Sequence, residues 1–100
     1  MTLEEGEAVL AACRDQIDDL DRRILALLNE RTRVVEEIGR VKQQFALPIY
    51  EPRREDEVFA NIASNNTGPL TSDGAKRVFE RIIDEMRNVQ RLRMMERKGH

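Results

Sequence analysis

From Leu10 to Phe45 the apolar residues recur at alternating steps of three and four. They run Leu10, Cys13, Ile17, Leu20, Ile24 and Leu27, then Val34, Ile38, Val41 and Phe45. That spacing is a heptad seam, the pattern of a long helix packed against other helices. No proline interrupts it before Pro48, and Gly39 costs a helix only about 1 kcal/mol relative to alanine. The spacing predicts one helix from about Leu3 to Phe45. At 1.5 Å per residue such a helix is about 63 Å long, whereas a compact domain of 100 residues has a radius of gyration of about 13 Å. The remaining residues are too few to cover the seam, so a second copy of the chain is expected to do so, in an intertwined homodimer.

The rest of the chain reads as two shorter helices. Pro48 and Pro52 bracket a turn, and Pro52 suits the first turn of a helix carrying Val58, Phe59, Ile62 and Ala63 and ending near Asn65. The segment from Ser64 to Gly74 is dense in turn formers, and Thr71, Ser72 or Asp73 can cap a third helix. Its core face is expected to hold Val78, Phe79, Ile82, Ile83, Met86 and Val89. The polar stretch from Arg87 to Lys98 is expected to fray or to suit the negative end of the helix. The fold class is therefore all-α, three helices per protomer, with residues 1–100 forming one domain.

Charge and cysteine usage exclude several classes of function. Seventeen Lys+Arg against nineteen Asp+Glu give a formal net charge of −2, so no basic field argues for nucleic acid. Cys13 stands alone and no Cys/His spacing fits a structural metal, which agrees with a reducing compartment. No run approaches the length of a membrane span, and the acidic N-terminus lacks the features of a signal peptide, so the chain reads as cytoplasmic. Asn65-Asn66-Thr67 matches a glycosylation acceptor and is read as an unused loop.

Chemistry is expected where the seam breaks. Continuing its alternation from Leu27 lands on Arg31, and an arginine turned from water needs a buried acid, a wet cavity or an anionic ligand. Lys42 lies eleven residues on, within about 20° of the same face and about 16 Å along the axis, so the two are expected to flank one pocket. Gln90 continues the stripe of Phe79, Ile83 and Met86 as another inward polar group. Glu51, Arg54 and Glu55 open the second helix, where acids suit the N-terminus and Arg54 has solvation as its plain alternative. Arg14 lies about 25 Å from Arg31 along one helix. It can serve the same small ligand only from the partner chain of an antiparallel dimer. Fourteen of the seventeen basic residues are arginine, whose fork matches carboxylates bidentately and which is also an ordinary helix former on solvated faces.

The run CRDQIDDLDRRILALLNERTRVVEEIGRVKQQ, followed by PIYEPRRE and FERIIDEMRNVQ, resembles the all-helical chorismate mutase family of the small bacterial type over about residues 10 to 91. The resemblance implies an intertwined dimer with two composite sites that convert chorismate to prephenate without cofactor or metal. It implies that Arg31 and the partner chain's Arg14 bind the substrate carboxylates with help from Arg54. Lys42 and Gln90 would donate to the ether oxygen, and Glu55 would accept from the ring hydroxyl. Glu51 stands where the family often has Asp, and Met86 where some members have a small hydroxyl residue.

That assignment agrees with the chemistry on offer. A pericyclic rearrangement needs no nucleophile or proton shuttle, and the single His100 stands alone at the end of the sequence. The task is to hold a dianion in a near-attack conformation and to stabilise charge growing on the ether oxygen. An isochorismate pyruvate lyase with a similar cationic pocket stays open as an alternative. So do a regulatory or dimerisation module of a shikimate-pathway enzyme and a complex with such an enzyme.

Overall fold

A computed structural model of the chain describes residues 1–99, and His100 lies outside them. Three helices follow one another: α1 (Leu3–Gln44), α2 (Pro52–Asn65) and α3 (Ser72–Lys98). No strand occurs among the described residues. The expected boundaries agree with these to within a residue or two. The chain divides into two units, Met1–Arg33 and the residues from Val34 onward.

In the N-terminal unit the Thr2 hydroxyl accepts from the Glu5 amide at 3.1 Å, a cap that satisfies one orphan donor of the first turn. Glu4 and Glu5 place negative charge at the positive end of the same helix. Leu10, Ile17, Leu20, Ile24 and Leu27 are 44–63% exposed in the single chain. The seam is present as a helical stripe and is exposed among the described residues.

In the second unit α1 buries a different stripe from the one the seam suggests. Val34, Ile38, Val41 and Phe45 stay exposed, whereas Val35, Gly39 and Lys42 are buried. The two stripes lie roughly 100° apart on the helix. The inner stripe carries a glycine and a lysine, so a search for aliphatic periodicity passes over it. The buried apolar core is Val35 with Ala75, Ile83 and Met86. Phe79, Ile82 and Val89 are half-buried, and Val78, expected inside, is exposed. Val78 stands about 140° around the helix from Ile83, so the two cannot share one narrow stripe.

α1 ends in a Schellman motif. The Leu47 amide donates to the Lys42 carbonyl at 2.7 Å and the Ala46 amide to the Gln43 carbonyl at 3.3 Å. Ala46 takes the left-handed conformation, φ 54°, that glycine ordinarily supplies here. Pro52 then opens α2, with Glu51 at the N-cap making no side-chain cap bond. At the far end of the loop the Thr71 hydroxyl accepts from the Gly74 amide at 2.9 Å and caps α3.

The last turns of α3 remain helical to Lys98. Of the two expectations for this stretch, fraying gives way to anchoring. Arg93 pairs with Glu36 of α1 at 2.5 Å and with Glu96 at 2.9 Å, and Arg97 Nε donates to Gln43 Oε1. The basic residues hold α3 against α1, and Arg97 and Lys98 also suit the negative helix end.

Candidate active site

Lys42 sits on the buried stripe of α1, in the last turn of the helix, and is 7% exposed. Its Nζ donates to the Ile49 carbonyl at 2.9 Å and lies 2.9 Å from Glu51 Oε2. Both partners are delivered by the reversal that follows the Schellman motif, so the turn that stops α1 also fixes its last inward cation. Glu51 uses its carboxylate on Lys42 instead of capping α2. A buried ammonium needs such partners, because isolating it from water costs several kcal/mol.

Gln90 reaches the same region from α3 and is also 7% exposed. Gly39 makes room for it: a Cβ at residue 39 would stand 3.3 Å from Gln90 Cγ, tighter than an ordinary contact. Lys42 lies one turn further along the helix from Gly39. The Gln90 Oε1 is buried without a hydrogen-bond partner among the described residues. Leaving a buried amide oxygen unsatisfied costs about 1–3 kcal/mol, which a fold tolerates where a ligand supplies the missing partner.

Glu55, in the first turn of α2, places Oε2 3.3 Å from Arg87 Nη1 on α3. Arg87 also pairs with Asp84, and its guanidinium carbon stands 5.4 Å from the centre of the Tyr50 ring. Met86, beside it in sequence, is part of the core. The second unit thus brings Lys42 to Glu51, Gln90 against Gly39, and Glu55 to Arg87. Arg54 turns elsewhere and pairs with Glu57 within α2 at 3.2 Å, with both side chains more than half exposed. In the N-terminal unit Arg31 is half-buried and Arg14 is exposed. Sequence reasoning missed Arg87, although it follows Ile83 by four residues and precedes Gln90 by three, on the same face of α3.

The clearest electrostatic shifts belong to the framework. Glu37 is held below the usual carboxylate range by hydrogen bonds from Arg40 and then by its charge. Arg93 is held above its ordinary value by hydrogen bonds to Glu96 and Glu36, with their charges adding to the effect. No group of three or more metal-ligating side chains occurs among the described residues.

A family model described as chorismate mutase type II matches residues 13–91. The chain belongs to this family. A solved chorismate mutase (form II) from Thermus thermophilus superposes with a TM-score of 0.80 at 35% identity, over 82% of this chain and 93% of that one. The bifunctional chorismate mutase/prephenate dehydratase of Neisseria gonorrhoeae is 36% identical over 85 residues, which are 85% of this chain and 23% of that protein. The T-protein of Enterobacter agglomerans is 48% identical over 54 residues, 54% of this chain and 14% of that protein. This chain therefore spans about a quarter or less of these two curated relatives. The family match includes Arg14, Arg31, Lys42, Glu51, Arg54, Glu55, Met86 and Gln90, all of which fall inside residues 13–91.

Proposed function

We propose that this chain is a chorismate mutase, an isomerase that rearranges chorismate to prephenate with no cofactor, in aromatic amino-acid biosynthesis. The observation that carries the reading is the buried pair of polar residues, Lys42 and Gln90, which bring an ammonium and an amide N–H group into the interior of the second unit. Two oxygen-directed donors are what a stretching C–O bond calls for, because negative charge grows on the ether oxygen and each preorganised donor there is worth about 3–4 kcal/mol of barrier. Glu55 accepts the ring hydroxyl with Glu51 near it, Arg31 binds substrate carboxylate together with the partner chain's Arg14 and with help from Arg54, and Met86 forms part of the wall.

The exposed seam of Leu10, Ile17, Leu20, Ile24 and Leu27 supports an intertwined homodimer. In it Arg14 of one protomer completes the site holding Arg31, Lys42 and Gln90 of the other, and residues 1–100 act as one domain with their partner. No helix of the described residues is long and apolar enough to cross a membrane, which accords with a cytoplasmic enzyme. The bifunctional name of the Neisseria relative supports an association with another enzyme of the pathway.

Adding the purified protein to chorismate tests the reading. The chorismate absorbance should fall at a rate proportional to protein, with prephenate as the product. Release of pyruvate instead would replace the mutase by a lyase, and an unchanged spectrum would leave a non-catalytic module.

A further inference from the structure

We propose that Arg87 is a positioning residue of this site: it orients the Glu55 carboxylate so that one oxygen is tied to the protein and the other is kept for the substrate hydroxyl. The inference rests on the chorismate mutase reading and adds to it a residue that the expected constellation lacks.

Several ion pairs of the described residues are exposed i,i+3 pairs within one helix, such as Arg22–Asp19, Arg40–Glu37 and Arg54–Glu57. Pairs of that kind contribute a few tenths of a kcal/mol and organise little beyond their own turn. Arg87–Glu55 differs in both respects. It joins α3 to α2, and its side chains are only 24% and 19% exposed. At that depth the pair is less screened by solvent, and its geometry is held by the packing of two helices.

The guanidinium is itself fixed from three directions. Nη1 faces Glu55 Oε2, Nη2 donates to Asp84 Oδ1, and Cζ stands over the Tyr50 ring. Asp84 belongs to α3, Glu55 to α2, and Tyr50 to the reversal that also supplies Ile49 and Glu51 to Lys42. A planar fork can satisfy two acids and a ring face together, whereas a lysine offers a point charge and no plane. Only Oε2 of Glu55 is engaged among the described contacts. Oε1 is left as an oriented acceptor on α2, held by an arginine three residues before Gln90 on α3.

A double-mutant cycle on the intact protein tests this. Arg87→Met should lower kcat/KM for chorismate about tenfold or more, with helix content by circular dichroism kept. In a Glu55→Gln background the same change should cost no more than about twofold, because the carboxylate it orients is gone. Arg87→Lys should fall between parent and Arg87→Met, and the cycle is repeated with it should Arg87→Met fail to fold. Equal losses in both backgrounds would overturn the proposal, since Arg87 would then act on the substrate directly or on packing alone. Full activity of Arg87→Met would overturn it too. A parent that leaves chorismate unchanged would instead remove the mutase reading, and the inference with it.

Discussion

At the scale of single residues, Lys42 shows how little of a site is visible as hydropathy. It occupies a buried helical position and is kept there by one carbonyl and one carboxylate. Lys42→Ala should keep the helical signal and lower turnover by at least about a hundredfold, the scale of a lost oxyanion donor, as steady-state kinetics would show. Gln90 yields a second expectation. An amide does not titrate, whereas a carboxyl at that buried position donates only while protonated, and burial favours its neutral form. Gln90→Glu should therefore shift the activity profile towards acid, read from kcat/KM against pH. A profile shared by parent and mutant would remove Gln90 from the ether oxygen. Gln90 was legible in the sequence as a polar continuation of an apolar stripe, and Lys42 only through its eleven-residue spacing from Arg31, the break in the seam. Arg87 was not, because an arginine beside a polar helix end has the same pattern whether it is solvated or anchored to a residue more than thirty positions away.

At the scale of elements, the turn after α1 couples helix termination to the site. Ala46 adopts a left-handed φ, a conformation that costs a residue with a Cβ roughly 1–2 kcal/mol. Glycine would relieve that cost and lose part of the gain to its freer unfolded chain. Ala46→Gly should thus stabilise the fold by about 0.5–1 kcal/mol net, measured by chemical denaturation at matched protein concentration. The helix spans themselves were legible, since Pro52, Thr71 and the long uninterrupted stripe mark their ends by local chemistry. Which face of α1 meets α3 was not legible. That choice depends on Gly39 yielding space to Gln90, a contact between residues fifty-one positions apart in the chain.

At the scale of the whole molecule, the proposed dimer makes each site a shared property. Arg14→Ala and Arg31→Ala should each be nearly inactive. Unfolded together in equal amounts and refolded, they should form heterodimers as roughly half of all dimers. Each heterodimer carries one intact site and one doubly damaged site, so activity should return to roughly a quarter of the parent's. Refolded mixtures that stay inactive while mass analysis confirms heterodimers would place Arg14 within its own chain.

The uncovered seam of α1 carries a further consequence for how such a protein is handled. If its apolar residues meet water in one chain and protein only in two, the native state is second order in protomer, and dilution itself acts as a denaturant. Each tenfold fall in concentration then takes about 1.4 kcal/mol from every dimer. An assay run at nanomolar enzyme would report assembly as much as chemistry, and activity per chain should fall on dilution before any helix is altered by mutation.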